Sequence, residues 1–169
     1  MKKIIPFFAV ALFGLLMIGC TSDDEGIAYV DYDTYPVVYD VNNVNFENVG
    51  GSFQIARTFN TPMYETDMLL AYKRIGTTNN NSPIWQQIPI TIYLEDGNEV
   101  DYNYDFSRYD FVIYAGGTFP LNNTEFVLNQ TFRILLVPAD YAKNSGVDFT
   151  DYNSVINHYN IDDSNPKEL

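Results

Sequence analysis

Val100-Asp101-Tyr102-Asn103-Tyr104-Asp105-Phe106 alternates without a break between apolar or aromatic side chains and acidic or amide ones. A period of two places Val100, Tyr102, Tyr104 and Phe106 on one face of a strand and Asp101, Asn103 and Asp105 on the other. One face belongs to a core and the other to water. Upstream, residues 88–94 form a β-branched and aromatic run, joined to the first by Glu95-Asp96-Gly97-Asn98. Asp96-Gly97 supplies the positive φ that a tight hairpin turn requires, so the two runs read as a hairpin. Pro89 cannot donate to a ladder, which puts it at an edge or a bulge.

The same pattern extends in both directions. Residues 35–41, 52–59 and 68–75 read as strands before the hairpin, and 109–115 and 131–137 after it. Residues 76–83, with three successive Asn, read as a polar loop. From Phe149 the period changes: Phe149, Tyr152, Ile156 and Tyr159 recur at helical spacing. This predicts a short helix over residues 149–159, with Asp148 or Thr150 as N-cap and Asp151 in its first turn. Seven or eight short strands and a terminal helix predict a mainly β fold, an immunoglobulin-like β-sandwich with a short C-terminal helix. A small open β-barrel is the alternative. Residues 29–161 are expected to form this single domain, and residues 162–169, polar and containing Pro166, a flexible tail.

The N-terminus has a different character. Lys2 and Lys3 precede an apolar run over residues 4–18, broken only by Pro6 and Gly14. A membrane span needs about 20 apolar residues, so this run better suits the hydrophobic region of a signal peptide. It ends in Met17-Ile18-Gly19-Cys20, which resembles the lipobox of bacterial lipoproteins, with an apolar residue three before the Cys and a small one directly before it. Met17 replaces the preferred Leu, and Ile18 is bulkier than usual. The resemblance implies removal of a signal peptide of residues 1–19, attachment of diacylglycerol to the Cys20 sulfur and acylation of its amine. Each buried CH₂ of such chains contributes ~0.8 kcal/mol, so two or three chains anchor stably.

Thr21-Ser22-Asp23-Asp24-Glu25 follows at once. An acidic cluster there resembles the export signal of lipoproteins in Bacteroidota-type envelopes. Residues 20–28 then form a lipidated Cys with an acidic tether. The resemblance implies an outer-membrane protein, lipid-anchored and displayed at the cell surface, with a periplasm-facing orientation as the alternative. As a whole the chain is similar to small surface lipoproteins of Bacteroidota-type bacteria. That family has no agreed activity and implies location, not mechanism.

Charge narrows the partners. Of 169 residues, 22 are acidic and nine basic; without residues 1–19, 150 residues carry 22 acidic and seven basic side chains, a formal charge of −15. Nucleic acid is excluded, because phosphate contacts need clustered Lys and Arg. An apolar fraction of 46% excludes global disorder. Cys20 is the only Cys and His158 the only His, so neither an internal disulfide nor a zinc site of Cys and His can form.

Catalytic patterns are missing from the sequence. Nothing around any Ser resembles a nucleophile elbow for His158 to serve. A glycosidase would need two carboxylates at a defined separation, a distance that sequence does not supply. Asp101-x-Asn103-x-Asp105 resembles the start of a calcium loop, but Phe106 and Val112 stand where an EF-hand requires Gly and Glu. No catalytic residue, metal ligand or cofactor is assigned. Asn80, Asn122 and Asn129 begin Asn-x-Ser/Thr triplets that read as chance in an Asn-rich chain.

Aromatic content is the most unusual feature, with 14 Tyr, 12 Phe and one Trp. Strand packing accounts for most of them. Tyr29, Tyr32, Tyr35 and Tyr39 fall nearest the tether and form a candidate binding face for an envelope protein or a glycan. The expected function is a lipid-anchored, non-enzymatic binding module of the cell envelope. The alternatives are a structural accessory subunit of an outer-membrane assembly and, more distantly, a carboxylate-based hydrolase.

Overall fold

Alternating side chains need a second layer to bury their apolar face, and two sheets supply it. A computed structural model describes residues 35–138 and 146–169. Residues 1–19, Cys20, the tether to residue 28, Tyr29 and Tyr32 lie outside the described residues. The strands are β1 (Val37–Val44), β2 (Glu47–Val49), β3 (Ser52–Thr58), β4 (Met68–Thr77), β5 (Pro83–Gln87), β6 (Ile90–Tyr93), β7 (Glu99–Phe106), β8 (Asp110–Gly117), β9 (Gln130–Val137) and β10 (Lys167–Glu168), with helix α1 (Tyr152–Tyr159) before the last. The first sheet has the order β10-β1-β9-β4-β5 and the second β2-β3-β8-β7-β6. All ladders are antiparallel except β1–β10. The fold is a mainly β sandwich with one short helix, and the sheets do not close into a barrel.

The core between the sheets takes Val41, Leu69, Ala71, Phe132 and Ile134 from the first and Ile55, Val100, Tyr102, Phe111 and Ile113 from the second. A second cluster lies on the other face of the first sheet, where Val38, Leu70, Tyr72, Leu135 and Val137 pack against Tyr152, Val155 and Tyr159 of α1. The central strands β4 and β9 are thus covered on both sides. That is why their sequences read as nearly continuous apolar runs, while β7, with one face in water, alternates.

In β7, Val100 and Tyr102 are buried, Tyr104 is half-buried and Asp101, Asn103 and Asp105 are exposed. Phe106 departs from the expected inward face: at the strand end it is 47% exposed, stacked on Tyr104 with ring centroids 6.2 Å apart. The β6–β7 turn has Gly97 at φ 84°. The Gly97 N–H donates to the Leu94 carbonyl at 3.0 Å. Within the run over residues 88–94 one strand forms, β6 (Ile90–Tyr93). β5 pairs in the first sheet and β6 in the second, with Pro89 at the crossing, where no ladder bond is demanded of it.

Two further expectations are corrected. The N-cap of α1 is Asp151, whose carboxylate accepts from the Asn153 N–H at 3.0 Å; Asp148 instead accepts from the Thr150 N–H in the preceding turn. Residues 162–169, expected as a frayed tail, fold back along the first sheet. Lys167 and Glu168 pair with Tyr39 and Asp40, and the Leu169 N–H donates to the Asp40 carbonyl at 3.1 Å. The open edge of β1 supplies those bonds, and a polar composition does not reveal an edge.

The Asn-rich stretches have a backbone role. Asn81, Asn123 and Asn129 hold φ of 62°, 59° and 54°, and Asn160 closes α1 at 50°. Asn tolerates the left-handed region better than other side chains.

Candidate functional site

Period-two alternation sets Tyr35, Val37 and Tyr39 on one side of the chain, toward the second sheet. Tyr39 is half-buried, its ring 6.1 Å from that of Phe59, and burial raises its hydroxyl pKa above the usual value. Tyr35, at the entry to β1, is exposed. The facing segment, residues 61–67, is tied to the β7–β8 turn by Arg108. Its Nε donates to the Met63 carbonyl at 2.8 Å, the Met63 N–H donates to the Arg108 carbonyl at 2.8 Å, and Nη1 meets Glu65 at 3.2 Å.

Together these elements line an open cleft of about 420 Å³. Tyr35, Tyr39 and Tyr64 give it aromatic walls, Met63 and Leu136 apolar ones, and Arg108 and Lys167 two positive charges against the one carboxylate of Asp67, in a strongly acidic chain. Lys167 arrives on β10, its Nζ 5.8 Å from the Tyr39 ring centroid, so the folded-back C-terminus is part of the site. Of the four tyrosines singled out by sequence, the structure brings Tyr35 and Tyr39 together. Tyr64, Arg108 and Lys167 come from a loop, a turn and the C-terminal strand. No local pattern marks them, because their proximity is made by β1 lying against β10 and facing residues 61–67.

On the other face of β1, Asp40 lies beside a buried cation. Arg133 on β9 donates from Nε and Nη2 to the two Asp40 oxygens at 2.7 and 2.9 Å, and from Nη1 to the Tyr152 hydroxyl at 2.7 Å and Asp163 Oδ2 at 2.9 Å. The Tyr152 hydroxyl donates to Asp163 Oδ2 at 2.5 Å. The guanidinium carbon sits 4.6 Å from the Trp85 ring centroid. Burial alone would lower the Arg133 pKa, but the bonds to Asp40 and Tyr152 outweigh it and raise it. This network locks β1, β9, α1 and the C-terminal segment into one arrangement.

A second cation lies between the sheets. Lys73 is buried, with Nζ donating to Gln130 Oε1 and standing 4.6 Å from the Tyr102 ring centroid. Burial, and secondarily the charge of Arg74, lowers its pKa to about 8.

The remaining polar features are dispersed. Asp101 packs across the neighbouring strand at Gly116, where a Cβ would meet Asp101 Oδ2 at 2.8 Å, and Asp105 Oδ2 accepts from the Tyr114 hydroxyl at 2.9 Å. His158 is exposed in the last turn of α1, its ring 4.8 Å from that of Tyr159. Among the described residues no three His, Cys, Asp or Glu side chains gather as metal ligands. No described helix is long and apolar enough to cross a membrane. No family model, curated protein or solved structure matches the chain.

Proposed function

We propose that this protein is a non-enzymatic binding module of the cell envelope, lipid-anchored through Cys20, which holds a segment of a partner protein in the cleft of Tyr35, Tyr39, Tyr64, Arg108 and Lys167. The observation that carries the reading is the make-up of that cleft. Tyr, Met and Arg are the side chains enriched where protein surfaces meet, since they give large contact area and directional bonds at one place. The edge strands are short, from two residues in β10 to five in β5, which favours the cleft over an edge as the docking place. Lys2, Lys3, the apolar run to Ile18 and Gly19-Cys20 support the anchor, and the acidic tether supports surface display.

A photo-crosslinking side chain at position 64 of the lipoprotein in its native membrane tests the reading. One discrete protein adduct is expected, and Tyr39→Ala together with Lys167→Ala should abolish it. Adducts indifferent to those substitutions would refute the cleft as the binding site. A glycan that competes for the cleft would transfer the reading from protein to saccharide.

A further inference from the structure

We infer that a second cleft, built around Trp85, is a subsite for a neutral saccharide. Its lining joins the β4–β5 hairpin to the start of α1: Thr78 and Ser82 from the hairpin, Trp85 from β5, and Asp151, Tyr152, Asn153 and Asp163 from the C-terminal region. It encloses about 420 Å³, within the roughly 300–1,000 Å³ of small-molecule sites, and shares no lining residue with the tyrosine cleft.

The charges select the ligand. An anion would meet Asp151 and Asp163 in the lining. Arg133 lies close by, but four of its five N–H donors are already committed to Asp40, Tyr152 and Asp163, and its charge is balanced by the two carboxylates. An ammonium would be drawn to the indole, yet that ring already carries the Arg133 guanidinium at 4.6 Å. Asp151 and Asp163 are likewise engaged, the first by the Asn153 N–H and Ser154 hydroxyl, the second by Arg133 and Tyr152. A neutral polyol ring fits both constraints. Its C–H face packs on an indole, and its hydroxyls exchange hydrogen bonds with the Thr78 and Ser82 hydroxyls, the Asn153 amide and the unused lone pairs of the carboxylates. The ring is pre-positioned, because Arg133 and Tyr152, 6.0 Å away centroid to centroid, hold Trp85 from within the fold.

Trp85 is the only Trp, so its emission reports on this cleft alone. The intact protein is titrated with a panel of neutral oligosaccharides (maltotriose, cellotriose, mannotriose, xylotriose), with galacturonic acid trimer and with spermidine. At least one neutral member should shift the emission saturably and shield the indole from acrylamide. The acidic trimer and the amine should do neither. By calorimetry Trp85→Ala and Asn153→Ala should each weaken that binding at least about tenfold, with unchanged far-UV spectra for Asn153→Ala. Tyr39→Ala and Tyr64→Ala should leave it unaltered, so failure here leaves the partner-protein reading intact, and the reverse. A panel with no saturable neutral member, tighter binding of the acidic trimer or of spermidine, or binding that survives both Trp85→Ala and Asn153→Ala would overturn the assignment.

Discussion

Asp40 and Arg133 stand opposite each other in the β1–β9 ladder and are joined through both carboxylate oxygens, with side chains about one-tenth exposed. A buried pair of this kind is strongly coupled to its surroundings, since removing one partner leaves an ion without water. Asp40→Asn should therefore lower stability by about 3–5 kcal/mol, less whatever Asp163 recovers. Removing the exposed Arg108–Glu65 contact by Glu65→Gln should cost below about 1 kcal/mol. Urea unfolding of the two variants checks the ranking.

β7 provides a graded series along one strand. Tyr102 is fully buried and its hydroxyl donates to the Phe126 carbonyl at 2.7 Å; Tyr104 is half-buried; Phe106 is exposed. Tyr102→Ala should cost about 3–5 kcal/mol, Tyr104→Ala distinctly less, and Phe106→Ala under about 1 kcal/mol. Equal losses at Tyr102 and Phe106 in denaturant melts would contradict the burial gradient.

Lys73 makes stability depend on pH with a defined sign. Its folded pKa of about 8 lies below the ordinary 10.5. Between those values the unfolded chain binds more protons at this site, so stability rises with pH across that window. At about 1.4 kcal/mol per pH unit the gap between 10.5 and about 8 corresponds to roughly 3.5 kcal/mol, which solvent screening reduces to a cost on the order of 1–3 kcal/mol for the charged ammonium below pH 8. Tyr72, Tyr102 and Tyr152 act oppositely above about pH 10, because burial raises their folded pKa. Wild type should gain stability from pH 8 to about 10, whereas Lys73→Met should be more stable at pH 7 and nearly flat over the same range. Chemical melts of both proteins across this range read the difference directly.

Membrane attachment is expected to reside in one sulfur. Cells fed radiolabelled palmitate should incorporate label into the wild-type protein and none into Cys20→Ser, which should remain at precursor length. Label retained by the Ser variant would place the anchor elsewhere.

Local chemistry was legible in the sequence. Alternation over residues 100–106 marked β7, Asp96-Gly97 marked its turn, and the spacing from Phe149 marked the helix, because each depends on neighbours within a few residues. The start of the helix was displaced because Asp148, Thr150 and Asp151 are all competent caps. Only packing decides among them, and Tyr152 under the first sheet selects Asp151.

Tertiary structure decided the rest. A short polar segment becomes β10 only when β1 presents an unpaired edge, and β6 starts only at Ile90 because the chain first crosses from the sheet that holds β5 to the other one. The tyrosine cleft is the same case. Tyr35 and Tyr39 follow strand periodicity and were legible together, whereas Tyr64, Arg108 and Lys167 lie far along the chain and reach the site by sheet pairing and layer packing. The apolar pattern of the sequence specifies which face of a strand is buried, but not which distant face will bury it, because hydrophobic burial is non-directional and the partner is chosen by the whole arrangement.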